Sequence, residues 1–304
     1  MNPRMIAILT AAGVPLVLAV AGLLRADETD AEAPAIAPLD GFSHVWRDDP
    51  AWDDGKAEVA IYDATRTIYG KQRRYTARLY TNKEHANSET KTKDPGGRGR
   101  AVFKHHLRDD IPTENYTYHY STMCYVGAED LKSLKIDMGS QEDCGASFKQ
   151  FINHNGTVTW NSFSYFPNEG HTSGSFESAA NLVSHDALSL VLRSFPFNDY
   201  LPGADPPDPP VLVMLPDQTD NHQTDIALRT VSVQYKGRQF VHLPIGRVDT
   251  EHVVVTVDGS NDRHEYWFDF DNTAPRLNVM VQYKGPGGVS YKLRKHERSA
   301  YWKR

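Results

Sequence analysis

The stretch from Glu114 to Phe166 restricts the fold more than any other, because it alternates with a period of two and contains an Asn-Gly turn. Tyr116, Tyr118, Tyr120, Thr122, Cys124 and Val126 share one face, and Thr117, His119, Ser121 and Met123 share the other, as successive strand residues must. After a turn over Gly127 to Asp130, Leu134, Ile136 and Met138 oppose Lys135 and Asp137 until Gly139-Ser140 breaks the run. Ser147 to His154 and Thr157 to Phe166 are then joined by Asn155-Gly156, a pair suited to a type I′ hairpin because both central residues there need positive φ. Four antiparallel strands follow, with one face packed.

The same alternation extends in both directions. A hairpin around Tyr69-Gly70-Lys71 joins Ala57 to Ile68 with Arg73 to Asn82, the wholly polar Lys83 to Arg98 reads as a long excursion, and Ala101 to Leu107 returns carrying His105 and His106. Upstream, Val45, Trp46 and Trp52 read as a plug packed on the fold. Phe176 to Phe197 predicts a helix, with Ser184 as its cap, Asp186 in its first turn, Leu188, Val191 and Leu192 on its apolar face, and Pro196 as its stop. Residues 202–210 hold five prolines and divide a first sheet region, 42–201, from a second, 211–304. Strands in the second region are expected at Val211 to Leu215, Ile226 to Tyr235, Gln239 to Leu243, His252 to Val257, Glu265 to Phe270, Leu277 to Tyr283 and Val289 to Lys295. The pentapeptide Val233 to Gly237 recurs as Val281 to Gly285, each copy expected to end a strand at a glycine turn. The fold class is therefore all-β, an antiparallel meander forming a barrel or two packed half-barrels, with one short helix.

Residues 1–26 read as a signal peptide, with Arg4 before the apolar run Ile6 to Leu24 and cleavage contexts at Ala19-Val20-Ala21 and Leu24-Arg25-Ala26. An uncleaved membrane tether through residues 5–24 is the competing expectation, since the run is long enough to cross a bilayer. Residues 27–41, rich in Ala, Pro and acid, read as a disordered tether, and the protein is expected to be exported to the periplasm or cell envelope. Removing Arg4 and Arg25 from the 33 basic residues leaves 31 against 39 acidic ones, a balance of −8. That excludes nucleic acid as a partner, because phosphate binding calls for a basic surface. Two cysteines occur, Cys124 and Cys144, and an exported chain could join them. The hairpin places Cys124 opposite about Ser133, however, which opposes direct pairing within it.

No nucleophile elbow, H-E-x-x-H, phosphate loop or C-x-x-C is present, and neither a metal nor a cofactor is expected. His105 and His106, adjacent on a strand, point to opposite faces and cannot both serve one metal. Ser140 to Gly145, SQEDCG, is denser in reactive groups than its neighbours, although two carboxylates beside Cys144 would raise a thiol pKa rather than lower it. Ser164-Tyr165-Phe166 and Glu169-Gly170 add a tyrosine and a carboxylate at a strand end.

The chain resembles a family of exported bacterial proteins of about this length and of no established function. The residues carrying the likeness are Tyr69-Gly70, Tyr116-Thr117-Tyr118-His119, Ser140 to Gly145, Ser164-Tyr165-Phe166 with Glu169-Gly170, and Ser299-Ala300-Tyr301-Trp302. Members are often lipoproteins, and some carry the label septum formation inhibitor Maf. The resemblance implies an all-β envelope protein and no reaction. This chain departs from the family in lacking a cysteine for lipid attachment near its N-terminus.

Two functions from different classes remain. The first is a non-catalytic extracytoplasmic β-barrel that binds an apolar or amphipathic small molecule through Tyr116, Tyr118, Tyr120 and Gln141, or that serves as a scaffold for an envelope protein partner. The second is a hydrolase or transferase acting on an envelope polymer, with Glu142 as acid, Cys144 as nucleophile, His119 as base and Tyr165 as orienter. Convergence of Cys144 and His119 in an open cleft discriminates them.

Overall fold

The computed structural model describes residues 39, 42, 45–197, 211–218, 226–269 and 275–303. The expected signal or anchor, the Pro-rich connection and all of the tether except Leu39 lie outside these residues. Leu39 itself is buried against the core, so the chain is already packed at a position read as tether.

The strands are β1 (Ala57–Ile68), β2 (Lys71–Ala86), β3 (Arg100–Pro112), β4 (Thr117–Gly127), β5 (Ser133–Glu142), β6 (Gly145–His154), β7 (Thr157–Ser164), β8 (Gly170–Glu177), β9 (Leu182–Ser184), β10 (Val211–Leu215), β11 (Arg229–Leu243), β12 (Gly246–Val257), β13 (Arg263–Asp269), β14 (Met280–Lys284) and β15 (Ser290–Ser299). They form one 15-stranded sheet in the order β8-β7-β6-β5-β4-β3-β2-β1-β15-β14-β13-β12-β11-β10-β9. The meander is antiparallel throughout except where β9 runs parallel to β10. The sheet does not close into a barrel, since β8 and β9 end it on opposite sides. Strands on either side of the Pro-rich segment share this sheet, because β1 pairs with β15 along Ala57 to Thr65.

Turn chemistry fixes the register. Asn155 and Gly156 have φ of 51° and 98°, the two left-handed residues the sequence predicts, and the expected hairpin at Tyr69-Gly70 also turns through two, at 51° and 71°. The β4–β5 register is displaced from the expected one, with a bulge at Tyr125/Val126, and Cys124 faces Ile136 rather than Ser133. Both cysteines are free. Gly237 does not end a strand. It sits at a bulge inside the long β11, whereas its counterpart Gly285 follows the end of β14. The polar excursion after Lys83 is shorter than expected, because β2 runs on to Ala86 and Asp94 then accepts three backbone N–H groups, from Gly96, Arg98 and Gly99.

One core joins the inward residues of strands far apart in the sheet, including Tyr62, Leu79, Phe103, Val253, Phe268 and Leu293. The sheet therefore curves around its inner face. Trp46 and Trp52 pack there on Phe103, at 4.9 and 5.1 Å between ring centroids, while Val45 stays exposed. The expected helix is much shorter than 176–197. Phe176 and Glu177 belong to β8, where Gly174 admits the Trp160 indole to a distance that a Cβ would obstruct. What remains is a helical plug: a 3-10 turn over His185–Ala187, α1 (Leu188–Val191), and a 3-10 turn over Leu192–Ser194. Ser184 makes no side-chain cap, but Leu188, Val191 and Leu192 are buried as their spacing implies.

A fully buried ion pair anchors this plug. Arg193 grips Glu58 of β1 with two hydrogen bonds of 2.7 and 3.0 Å, and both side chains are wholly inaccessible to solvent. The remaining guanidinium donors reach Ser189 O and Leu277 O, and the group lies over the Trp46 ring. Burial alone would raise the Glu58 pKa, but Arg193 and His296 outweigh it and hold the carboxyl well below its ordinary range. Breaking such a pair is costly because it strands one charge. Arg193→Met is expected to lower unfolding free energy by about 3–5 kcal/mol, and adding Glu58→Leu to recover most of the loss. Urea denaturation of the two variants checks this, and equal destabilisation by both would contradict it.

Candidate functional site

The inner face encloses a cavity of about 880 Å³. Its walls come from β1 to β5, from β11, from β13 to β15, and from the plug, so it lies where the curved sheet faces itself. Three polar groupings line or back it, set among the apolar surfaces of Ile68, Leu79, Leu107, Met280 and Val289.

The first grouping is a row of tyrosines. Alternation along β4 turns Tyr118 and Tyr120 inward, where their rings stack at 6.1 Å. The Tyr116 hydroxyl meets that of Tyr118 at 3.1 Å, and Tyr118 donates to Tyr69 at 2.5 Å. Cys144 closes the row, with its Sγ 3.4 Å from the Tyr116 hydroxyl and 3.3 Å from Glu142 Oε2. The Cys144 contact pushes the Tyr116 phenol up to about 12, and burial raises Tyr118 and Tyr120 further, so the row is neutral.

The second grouping centres on Asp109 of β3. Its Oδ2 accepts from Tyr291 at 2.8 Å, Tyr75 at 3.1 Å and Gln218 at 3.1 Å, while its Oδ1 is buried without a partner among the described residues. Burial pushes the carboxyl from its ordinary 3.8 up to about 6, against the opposing pull of Arg66 and the two tyrosine hydroxyls, with Asp186 adding to the rise. Arg66 of β1 lines the cavity nearby and lies over the Tyr120 ring at 5.5 Å.

The third grouping runs from the plug to β13 and β14. Asp186 accepts from Thr122 at 2.6 Å, from the Gln218 backbone at 3.0 Å and from His185 Nδ1 at 2.9 Å. His185 Nε2 lies 3.1 Å from His264 Nδ1, which lies 2.8 Å from the Tyr283 hydroxyl. Burial, then the neighbouring His185, lowers His264 to about 3, so its ring stays neutral. Behind the plug, His105 bridges Thr81 and Ser189, each at 2.8 Å, and burial holds it at about 3.

Of the residues expected to bind a ligand, Tyr118 and Tyr120 line the cavity and Tyr116 joins them through its hydroxyl. Gln141 does not. It has the outward parity of β5, opposite to Ile136 and Met138, and is exposed. Among the catalytic candidates, Cys144 and Glu142 meet at the cavity wall. His119 points the other way, outside β4, where its Nδ1 pairs with Asp110 at 2.7 Å. Tyr165 is 80% exposed past the end of β7, and its neighbours Phe166 and Glu169 line the cavity instead. The four residues therefore form no constellation. Arg66, Asp109, His185, Asp186 and His264 escaped the sequence reading, although inward parity beside Ala64, Leu107 and Tyr266 singles out Arg66, Asp109 and His264.

These features define an all-β protein whose single open sheet curves around an aromatic cavity with buried charge. No family model and no curated protein matches the sequence. Among solved structures the chain is similar to the crystal structure of a beta-barrel-like protein of domain of unknown function DUF1849 from Brucella abortus. The identity is 10% and the TM-score 0.46, over 80% of this chain and 98% of that one.

Asp109 gives the site a pH signature. A carboxyl raised in the folded state stabilises fully below its unfolded pKa and loses that contribution as pH rises through the folded value. The window is therefore pH 4 to 6. Across it, Asp109 withdraws on the order of 3 kcal/mol, at 1.36 kcal/mol for each unit of pKa. Tyr75, Tyr291, Arg66, Asp186 and Tyr283 are among the titratable groups that face it. Asp109→Asn is expected to gain on the wild type in urea midpoints from pH 4 to about pH 6 and to hold that gain above it, and parallel curves would contradict this.

Proposed function

We propose that the protein is a non-catalytic binding protein that takes an apolar or amphipathic small molecule into the cavity of its curved sheet. The observation that carries the reading is the cavity itself, whose volume of about 880 Å³ and mixed lining of aromatic faces and a few polar groups suit a small organic ligand. The apolar run within residues 1–26, read as an export signal, supports binding outside the cytoplasm, at the cell envelope.

The catalytic alternative has less support. Among the described residues the contacts of Cys144 are with Tyr116 and Glu142 and not with an imidazole, as His119 lies on the opposite face of β4. Ser189 does touch an imidazole and lines the cavity, but His105 at about 3 is too weak a base to activate a hydroxyl near neutral pH. The neutral probe N-phenyl-1-naphthylamine is expected to bind the intact protein saturably at one site, with enhanced fluorescence. Leu107→Trp, which fills the cavity from β3, is expected to weaken that binding at least roughly tenfold while circular dichroism shows the fold retained. Non-saturable binding, or equal binding by the folded variant, would overturn the reading.

A further inference from the structure

We propose that Arg66 anchors the head group of the bound molecule, and that the ligand is a monoanion, a carboxylate on an apolar body. This rests on the ligand-binding reading above. Arg66 follows Ala60, Tyr62 and Ala64 on the inward face of β1 and lines the cavity. A guanidinium offers five N–H donors in a fixed fork, and leaving such donors unmatched inside a protein is expensive. Among the described residues Arg66 makes no hydrogen bond and no ion pair, and its ring contact is with Tyr120. Arg193, the fully buried arginine of the plug, spends its guanidinium on Glu58, Ser189 and Leu277.

Five acidic side chains line the wall, which would suit a cationic ligand, but each already has a partner. Asp186 holds Thr122, Gln218 and His185, Asp217 lies 3.9 Å from His185, Glu142 accepts from Cys144, Asp262 pairs with Arg229 at 3.6 Å, and Glu169 accepts from Ser164. Apart from Asp109 Oδ1, which backs the cavity rather than lining it, the unmatched capacity is of the donor kind, and Arg66 is the lining arginine with neither a hydrogen bond nor an ion pair among the described residues. A carboxylate matches that fork with two parallel bonds. The number of charges follows from the neighbours. Asp109 and Asp217 already oppose the charge of Arg66 from a distance, so a second negative charge on the ligand would meet more repulsion than attraction. The apolar body then lies along Leu79, Leu107 and the Tyr118 and Tyr120 rings.

Three probes with one chain and different heads test this by calorimetry on the full chain: decanoate, decanol and decyltrimethylammonium. Wild-type protein is expected to bind decanoate roughly 10- to 100-fold more tightly than decanol, the value of a charge-assisted hydrogen-bond pair. In Arg66→Gln combined with Asp109→Asn, which removes both charges together, decanoate is expected to fall to the affinity that decanol has for the same variant. If that variant unfolds, Arg66→Lys keeps the charge and loses the fork, and the preference must shrink there. Tightest binding of the ammonium, no head-group preference in the wild type, or a preference surviving either folded variant would overturn the assignment to Arg66. Binding of N-phenyl-1-naphthylamine alone among all probes would do the same and leave the cavity reading intact. Failure of every probe would remove both.

Discussion

The ion pair between Glu58 and Arg193 is the contact on which the arrangement of this fold depends. β1, which carries Glu58, lies where the meander of β1 to β8 meets that of β10 to β15, through its ladder with β15. The plug that carries Arg193 fills the space the curved sheet leaves. Desolvating two charges is unfavourable unless their remaining donors and acceptors are met. Here they are, by Ser189 and Leu277 carbonyls and by Trp46 above the guanidinium. Such a pair tolerates little displacement, so it fixes the plug against one strand rather than letting it slide along an apolar face. Trp46 reinforces the arrangement by donating to Ser194 at the end of the same plug, which brings the first described part of the chain into the same joint.

With the plug fixed, Asp186, His185 and Ser189 are delivered to the cavity wall from one turn of chain. Their partners come from strands on both halves of the sheet: Thr122 from β4, His105 from β3, His264 from β13 and Tyr283 from β14. A connected polar lattice therefore runs through the apolar core of the inner face. Low dielectric strengthens each of these bonds and raises the penalty for any group left out, so the lattice favours one arrangement of the strands. The absence of hydrogen bonding between β8 and β9 is consistent with that. The sheet does not need closure to keep its curvature when its inner face is cross-linked through the plug.

Much of this architecture was legible in the chain. The alternation of Tyr116 to Val126 gave the correct inward face of β4, and Asn155-Gly156 and Tyr69-Gly70 gave two hairpins, because both signals are local. The helix is shorter than its pattern because Leu188, Val191 and Leu192 are apolar at helical spacing, yet the residues before them are claimed by pairing with β7 and β10, which no local pattern records. Lys83 to Ala86 looked like loop because a strand paired with β3 can carry polar side chains at its end without losing its ladder. The site was less legible than the fold. Cys144, Glu142, His119 and Tyr165 were selected for reactive side chains, and reactivity says nothing about facing. Parity did. His119 and Gln141 sit out of phase with the buried residues on their own strands, which is why the structure turns both away from the cavity.

Carried through every strand, parity would have pointed to the interior charge. The inward positions of β1 read Glu58, Ala60, Tyr62, Ala64 and Arg66, and those of β3 read Phe103, His105, Leu107, Asp109 and Ile111. Four of these ten break the apolar pattern that an inward face calls for, and sequences that specify a fold consistently tend to break it where function requires. For Glu58 and His105 the structure supplies a structural reason, in Arg193 and in the Thr81 and Ser189 hydroxyls. Asp109 is held by three donors and still has its carboxyl raised toward neutrality, a sign that burial there is opposed rather than fully compensated. Arg66 has no hydrogen-bonded partner of its own among the described residues. Of the four, Glu58 and His105 are satisfied from within the fold and Asp109 in part, so Arg66 is the inward charge to which the strands themselves supply no hydrogen bond, and on that asymmetry the proposed head-group contact rests.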